Sequence, residues 1–234
     1  YLSDEGLKGS GDLEYRNSSS SSDKILFFPD SMNLYTQKFS ISQVETGIEF
    51  PEVSNTESYA HFEPYNDRLE ISKTKDPFDL YKSQVSFDGN LLMRPTGLTG
   101  SEIMSLDKAN VTSSFFTYNA NWFKSESSDL EVFSKKGGLS IEAVNLKSHI
   151  DLEMLEGVFN SNGKNSYVKF PENQYISYID KLTWDMNEEA FVLGNQVVTG
   201  KGSEFVSIHS DQDSLRFIAK TAFYSLKDYI IYSA

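Results

Sequence analysis

Hydrophobic and polar residues alternate along several short segments of the chain. The alternation is strict over residues 68–72 and 84–88, and residues 180–186 also alternate. Because successive side chains of a β-strand point to opposite faces of a sheet, a period of two indicates strands that are buried on one face only. The helical spacing of 3.6 residues is rare, and residues 101–109 are also better explained as a strand than as a short helix. The pattern therefore predicts a mainly β protein built of antiparallel hairpins.

Turn-forming residues lie between these segments. The sequence Asp-Gly-Asn at residues 88–90 predicts a tight turn, and Asn-Glu-Glu at residues 187–189 predicts another. The serine-rich run at residues 17–23 predicts a mobile, low-complexity loop. Gly97 and Gly100 are expected at corners of the sheet, because glycine tolerates a positive φ.

Part of the sequence repeats. The motif Gly-Leu-x-Gly-Ser occurs at residues 6–10 and again at residues 97–101. Further along the chain, residues 58–62 resemble residues 166–170, and the offset between the two copies grows from 91 to 108 residues. Insertions in surface loops would account for this growth.

The repeat and the alternation together predict the fold class. We expect a first β-repeat unit at residues 1–96 and a second unit, with insertions, at residues 97–234, stacked as one continuous body. A single hairpin cannot bury its apolar face alone, so neighbouring hairpins would share one core. The expected architecture is an elongated antiparallel β-jelly-roll, sandwich or solenoid made of imperfect repeats, with neighbouring repeats of a longer chain as further partners.

The composition argues against several classes of function. The 234 residues include 34 acidic and 21 basic side chains, which gives a net charge of −13. A nucleic-acid-binding surface needs clustered Lys and Arg, so no nucleic-acid partner is expected. No apolar run approaches the roughly 18 residues of a membrane-spanning helix. The chain has no cysteine, which excludes disulfides, thiolate metal ligands and thiol catalysis.

The beginning of the chain and its composition favour an exported bacterial protein. Residues 1–5 carry neither the basic region nor the apolar core of a signal peptide, and the first residue is not Met. The chain therefore looks like a mature product or a piece of a longer protein. Since it combines 34 serines with no cysteine, we expect it in the periplasm, in association with the outer membrane or on the cell surface.

Two motifs carry a resemblance to bacterial envelope proteins. They are Gly-Leu-x-Gly-Ser at residues 97–101 and Asp-Ser-Leu-x-Phe-x-Ala-x-x-Ala-x-Tyr at residues 213–224. Both resemble segments of large, repetitive cell-envelope proteins of Gram-negative bacteria. The second is also similar to strands of the periplasmic lipopolysaccharide-bridge family, whose members form an open β-jelly-roll groove that shields lipid chains. This resemblance implies a lipid-binding groove and carries over no catalytic residue.

Aromatic residues are the main indication of a binding site. Aromatic rings stack on sugars, and neighbouring amide and carboxylate groups hydrogen-bond to sugar hydroxyls. The alternative interpretation is that aromatic residues at alternate positions form the core of a β-sandwich. The candidate ligand-binding residues are Tyr59, His61, Tyr65, Trp122, Tyr175, Tyr178 and Trp184.

One acidic pair is a candidate metal site. Asp211 and Asp213 lie two residues apart beside His209, and their oxygen ligands suit Ca²⁺ if a loop holds them together. An EF-hand loop would need Gly and Glu where this chain has Arg216 and Ala222, so a solvated turn is the alternative. Apart from this candidate Ca²⁺, we expect no cofactor.

The sequence as a whole predicts a non-catalytic envelope scaffold or binding segment. Its β surface or groove would accommodate a lipid, a glycan or an envelope protein, and no enzymatic activity is expected. One alternative is a carbohydrate-binding module that uses exposed, coplanar Tyr and Trp side chains as platforms. The other is a glycoside hydrolase, which requires a cleft that holds two carboxylates roughly 5–10 Å apart.

Overall fold

A computed structural model describes residues 2–3, 6–194 and 202–233. Most of these residues form antiparallel strands, which confirms the predicted mainly β class. The helical segments in this part of the chain are two 3₁₀ turns, Pro64–Asn66 and Ser210–Gln212. Neither has the length or apolar character that a membrane-spanning helix needs.

The chain forms two compact units. Unit 1 comprises residues 1–107 and 114–123, and unit 2 comprises residues 108–113 and 124–234. The boundary that the sequence repeat suggested, between residues 96 and 97, falls at a turn between two paired strands of unit 1. The internal repeat itself stays a prediction.

Unit 1 contains the strands that come first along the chain. They are β1 (Leu2–Ser3), β2 (Gly6–Tyr15), β3 (Ser18–Phe27), β4 (Met32–Ile41), β5 (Val53–Asn55), β6 (Ser58–Glu63), β7 (Arg68–Lys73), β8 (Phe78–Leu80), β9 (Val85–Arg94) and β10 (Gly97–Ser105). Two further strands, β11 (Ala109–Tyr118) and β12 (Trp122–Phe133), contribute residues to both units.

Long strands alternate with pairs of short strands in unit 1. The first half of β4 pairs with β6 and its second half pairs with β5. β6 then pairs with β7 and β5 with β8, and both β7 and β8 pair with the long strand β9. A hairpin joins β9 to β10.

Unit 2 has the same layout around its own long strand, β13 (Leu139–Asp151). The strands that follow are β14 (Glu156–Ser161), β15 (Tyr167–Phe170), β16 (Tyr175–Tyr178), β17 (Lys181–Asp185), β18 (Ala190–Leu193), β19 (Ser203–Ser207), β20 (Arg216–Ala219), β21 (Ala222–Ser225) and β22 (Ile230–Ser233). The second half of β13 pairs with β14, and successive pairings continue the sheet through β17, β18 and β21 to β22. The first half of β13 pairs with β15, and successive pairings continue the sheet through β16 and β19 to β20.

The sheet of unit 1 bends back on itself. Along β4, Ile41 lies at the level of Tyr15, and Met32 lies at the level of Phe62. In a flat sheet these levels would be about 30 Å apart, because a strand rises about 3.3 Å per residue. The ring centroids of Tyr15 and Phe62 are instead 5.0 Å apart. The two halves of the sheet therefore pack face to face, as in a β-sandwich.

The sheet of unit 2 bends in the same way. Phe170 follows the residue that pairs with Glu142, and Tyr224 is linked through three intervening strands to the level of Ile150. These levels on β13 would be about 26 Å apart in a flat sheet. The ring centroids of Phe170 and Tyr224 are 5.2 Å apart, so this sheet also encloses its core between two halves.

Bulges in the long strands account for the bend. The register between β3 and β4 shifts at Ser22, and the buried positions of β3 change from even-numbered serines to Ile25. A bulge bends a strand and increases its local twist. Ser22 Oγ donates a hydrogen bond of 2.8 Å to the carbonyl oxygen of Tyr35. This bond gives the carbonyl a partner, and a buried carbonyl without one would cost free energy. Ser22 therefore satisfies backbone groups where the ladder is irregular.

One predicted loop and one predicted turn are wrong, and for related reasons. The serine-rich run at residues 17–23 is mostly strand β3, in which small hydroxyl side chains fit the bend. The Asp-Gly-Asn sequence at residues 88–90 lies inside β9. A Cβ atom at Gly89 would lie 2.0 Å from the carbonyl oxygen of Ser101, so this glycine permits close strand contact and does not form a turn. The turn predicted at residues 187–189 is confirmed.

The two glycines expected at corners have different roles. Gly97 has a φ of 135° at the turn after β9, which confirms the prediction. Gly100 is not at a positive-φ corner; a Cβ atom there would lie 2.7 Å from the hydroxyl oxygen of Tyr118. Its lack of a side chain is required by packing against a buried ring.

Aromatic and aliphatic side chains fill the interior of each unit. The fully buried residues of unit 1 include Leu34, Phe39, Ala60, Leu69, Ile71, Phe78, Phe87, Met93, Leu98, Phe116, Tyr118 and Phe123. Those of unit 2 include Leu130, Ile141, Ile150, Phe159, Val168, Phe170, Leu182, Phe191, Phe205 and Tyr224. In both units the opposite face of the sheet is therefore the surface available to a ligand.

Candidate functional site

The face of the unit 1 sheet that points away from the core carries two rows of polar and aromatic side chains. Strand pairing places each row across five neighbouring strands, from β4 to β10. Since adjacent strands are about 4.8 Å apart, each row spans roughly 19 Å. We call these ten residues the outer face: Tyr35, Tyr59, Ser72, Asn90 and Ser101 in the first row, and Asn33, His61, Glu70, Leu92 and Thr99 in the second.

Two tyrosines form the aromatic end of the outer face. Tyr35 is 46% exposed, and its ring meets that of Tyr59 edge-on, with centroids 5.3 Å apart and planes at 63°. Lys24 Nζ lies 4.8 Å from the centroid of the Tyr35 ring, in cation–π geometry. Burial raises the pKa of Tyr59, and the neighbouring Tyr35 raises it further, so this phenol is neutral at neutral pH. The rings offer two differently oriented surfaces and not one flat platform.

His61 is held in place on the same face. Its Nδ1 atom lies 2.6 Å from Oδ1 of Asn33, and its Nε2 atom lies 3.5 Å from Oε1 of Glu63. The hydrogen bond that Arg68 donates to Glu63 lowers the pKa of that carboxyl group, so Glu63 is ionised at neutral pH. Contacts on both ring nitrogens fix the orientation of the imidazole.

The other end of the outer face contains a groove of about 440 Å³. Phe115 of β11 lines it and is 57% exposed. The polar groups in its wall come from neighbouring strands, so the register of the sheet positions them. The groove-lining residues are Glu70, Ser72, Asn90, Leu91, Leu92, Thr99, Gly100, Ser101, Ser114 and Phe115.

Hydrogen bonds orient several of these polar groups. Asn90 Nδ2 donates a hydrogen bond of 3.1 Å to Oε1 of Glu102. This bond fixes the side chain of Asn90 and so sets the direction of its amide oxygen. Glu102 has a φ of 102° and interrupts the alternation of β10. Glu70 forms an ion pair with Arg68, which also pairs with Glu63. The groove therefore combines a preorganised amide, hydroxyl groups and an ion-paired carboxylate with an aromatic ring.

Four of the sequence-predicted site residues lie in unit 1, and the sheet brings two of them together. Tyr59 and His61 are both on the outer face. Tyr65 lies outside it, in the 3₁₀ turn that follows β6, and is 83% exposed. Trp122 is half-buried at the start of β12, and its carbonyl oxygen accepts a hydrogen bond of 2.9 Å from the hydroxyl of Tyr81.

The remaining aromatic candidates lie in unit 2. Tyr175 is half-buried, with its ring in edge contact with Phe217 at 5.7 Å, and Tyr178 is 54% exposed. Trp184 needs a correction, because it belongs to the core. It is 5% exposed and stacks on Phe191 with ring centroids 5.4 Å apart, so it presents no accessible face to a ligand.

The candidate calcium residues lie in an exposed turn. Asp211 is in the second 3₁₀ turn, and Asp213 follows it with a φ of 43°. Asp211 Oδ1 accepts a hydrogen bond from Ser210, and its backbone N–H donates to Nδ1 of His209. In the part of the chain that the structure describes, no three His, Asp or Glu side chains gather in a way that could hold a metal ion.

The sequence did not reveal the groove. Ser72, Asn90, Thr99 and Ser101 occupy polar positions of alternating strands, and such positions are common on any solvated sheet face. Phe115 belongs to a Phe-Phe pair of which the other member is buried. The only local signal was the alternation itself, which gives the outward positions of each strand but not their neighbours across the sheet.

Comparisons of the chain with protein-family models, with curated proteins and with solved structures gave no match.

Proposed function

We propose that this chain is a non-catalytic glycan-binding protein that holds its ligand on the outer face of unit 1. The observation that carries the proposal is the presence of aromatic rings at both ends of one polar face, with Tyr35 and Tyr59 at one end and Phe115 at the other. Sugars combine hydroxyl groups, which hydrogen-bond to amides, hydroxyls and carboxylates, with apolar C–H faces, which pack on aromatic rings.

A glycan suits this face better than a lipid does. The apolar interior of unit 1 is filled by buried side chains such as Phe39, Phe78 and Phe87. The accessible groove has a polar wall, and covering Ser72, Asn90 or Ser101 with a hydrocarbon chain would cost free energy because their polar atoms would lose water without gaining a partner.

Binding is favoured over glycoside hydrolysis by the charges in the groove. Hydrolysis by the common mechanisms uses two carboxyl groups, one of which acts as an acid. Among the described residues that line the groove, Glu70 is the one with a carboxylate, and it is ion-paired with Arg68. A paired carboxylate of this kind favours a role in recognition.

The proposal includes an exported location. A glycan-binding protein would meet bacterial polysaccharides in the envelope or outside the cell. The absence of cysteine and the resemblance to envelope proteins support this placement.

The proposal can be tested by binding measurements with soluble oligosaccharides of glucan, mannan, galactan, xylan and galacturonan. We expect at least one of them to bind the wild-type protein in calorimetric titrations. Phe115→Ala and Asn90→Ala should each weaken that binding about tenfold, which corresponds to 1.4 kcal/mol. Both side chains are exposed, so both variants should keep the fold.

Tyr178→Ala is the matched control, because it removes an exposed aromatic ring from unit 2. The Tyr178→Ala variant should bind the same oligosaccharide with the affinity of the wild type. Loss of binding in the Tyr178 variant, with unchanged binding in the Phe115 and Asn90 variants, would show that the outer face of unit 1 is not the site.

A further inference from the structure

A second cavity adjoins the groove of unit 1. It has a volume of about 260 Å³ and lies beyond the groove towards the turn between β9 and β10. Thr99 lines both cavities, so the two cavities are neighbours at this residue. The lining residues are Gly47, Ile48, Glu49, Arg94, Thr96, Gly97, Leu98, Thr99, Thr117, Tyr118 and Asn119.

Arg94 continues the outward row of β9. Asn90, Leu92 and Arg94 are at alternate positions of this strand, so they lie on one face with about 6.6 Å between successive side chains. A ligand that extends along the groove from Asn90 past Leu92 would therefore reach the guanidinium group of Arg94.

Among the residues that the structure describes, no carboxylate forms an ion pair with Arg94. The chain has four arginines, and three of them pair with carboxylates: Arg16 with Asp67, Arg68 with Glu63 and Glu70, and Arg216 with Glu204. Across the described residues, no carboxylate lies within 4.0 Å of the Arg94 guanidinium.

The carboxylate that shares the cavity with Arg94 already has another partner. Oε2 of Glu49 accepts a hydrogen bond of 3.0 Å from Asn119 Nδ2. Arg94 is exposed, lines a cavity and has no carboxylate partner among the described residues, so its guanidinium group is available to an anionic ligand.

We infer that the ligand is an acidic glycan and that Arg94 binds a sugar carboxylate in the second cavity. This inference rests on the proposed function, because it assumes that the neighbouring groove holds a glycan. The planar guanidinium group can donate two parallel hydrogen bonds to a carboxylate, and such charge-assisted pairs are the stronger class of hydrogen bond. A uronic acid residue presents a carboxylate of this kind beside the ring hydroxyls that the groove would bind.

The test uses two probes that share one sugar backbone. Hexamers of galacturonic acid carry carboxylates, whereas their fully methyl-esterified form carries neutral methyl esters, so the part of the affinity difference that depends on Arg94 reports the carboxylates. In calorimetric titrations at pH 7 and low salt, the wild type should bind the free acid about fivefold more tightly than the ester. Arg94→Gln should bind both probes with the affinity that the wild type has for the ester.

Two control variants separate the possible explanations. Lys75→Gln removes one exposed positive charge from unit 1 outside both cavities, and it should keep the wild-type preference. Phe115→Ala should weaken the binding of both probes while it keeps their ratio. If Lys75→Gln lost the preference for the free acid over the ester, that preference would reflect the net charge of the protein. This result would overturn the role of Arg94.

The failure of the inference is distinguishable from the failure of the proposed function. Equal affinity of the wild type for acid and ester, with both weakened by Phe115→Ala, would overturn the acidic-glycan inference and leave the glycan site in place. Binding of a neutral oligosaccharide without binding of the galacturonic acid hexamer would also overturn the acidic-glycan inference and leave the glycan site in place. Absence of binding to every oligosaccharide tested would overturn both.

Discussion

The hydroxyl oxygen of Tyr15 lies 2.8 Å from the carbonyl oxygen of Asp67 and 2.8 Å from its Oδ1 atom. Tyr15 is the last residue of β2, and Asp67 lies 52 positions further along the chain, in the turn between β6 and β7. Arg16 adds an ion pair with the same carboxylate at 3.3 Å. This contact links the two halves of the bent sheet of unit 1. It therefore stabilises the bent arrangement that the bulges make possible.

Replacement of Tyr15 by Phe should destabilise unit 1. The ring would still pack against Phe62, but Asp67 would lose the phenolic hydrogen bond. We expect the free energy of unfolding to fall by about 1 kcal/mol, the usual net contribution of one hydrogen bond. Urea denaturation followed by circular dichroism measures this change. Tyr65→Phe is the control, because Tyr65 is 83% exposed, and an equal loss in both variants would contradict the role of the Tyr15 contact.

The buried hydroxyl pair Thr36–Ser58 should also contribute to stability. The two hydroxyl oxygens are 2.6 Å apart, and the backbone N–H of Ser58 donates to Oγ1 of Thr36 at 3.2 Å. Thr36→Val keeps the shape of the side chain but leaves these groups without a partner. We expect a loss of about 1–3 kcal/mol in the free energy of unfolding, measured by urea denaturation.

A double-mutant cycle tests whether that loss comes from the pair itself. Ser58→Ala in the Thr36→Val background removes the stranded hydroxyl, so the double variant should be more stable than the sum of the two single effects predicts. Strict additivity would show that Thr36 and Ser58 act independently.

Substitution of Gly89 should be costly although the residue lies inside a strand. A Cβ atom at this position would lie 2.0 Å from the carbonyl oxygen of Ser101 and 2.6 Å from Cζ of Phe87. Since a backbone atom would have to move, Gly89→Ala should lower the free energy of unfolding by about 1–3 kcal/mol. Gly138→Ala, where the nearest side-chain atom would be 3.5 Å away, should change it by less than about 0.5 kcal/mol. Thermal denaturation of both variants would show an equal shift if close packing at Gly89 were unimportant.

Alkaline pH should destabilise unit 2 through Tyr224. Burial raises the pKa of this phenol from its ordinary value of 10.0 to about 12. The folded state therefore holds its proton where the unfolded state loses it, so the stabilisation is complete below pH 10 and is lost as the pH rises from 10 towards 12. Tyr224→Phe removes the titrating group, and its free energy of unfolding should fall less steeply over this range.

Burial also raises the pKa of Tyr81 and Tyr118 well above its usual range, so part of the alkaline slope should persist in the Tyr224 variant as unfolding of unit 1. Identical slopes for the wild type and Tyr224→Phe would contradict the prediction.

The strand content could be predicted from the sequence because alternation is a local property. Residues 68–72 and 180–186 lie almost wholly in the strands that their pattern predicted. The same local reasoning failed at residues 17–23 and 88–90, where serine and glycine are common turn formers. In this protein they are placed in strands, because a bent sheet needs small side chains at bulges and close strand contacts.

The candidate site was only partly predictable for the same reason. Tyr59 and His61 were identified from an aromatic cluster in the sequence, and the structure places both on the outer face. The residues that complete this face come from strands further along the chain, and Asn90 is 31 positions from Tyr59. Trp184 was chosen by the same aromatic criterion, but stacking on Phe191 in the core uses its ring for packing.

The sequence by itself determined that this protein is built of antiparallel strands with one buried face, because side-chain periodicity follows directly from backbone geometry. Only the tertiary structure decided which strands are neighbours, where each sheet bends and which outward side chains form one surface. Those features depend on register and on contacts between residues far apart in the chain. The approach of Tyr15 to Asp67 and the alignment of Tyr59 with Asn90 are therefore properties of the folded sheet, and no local pattern encodes them.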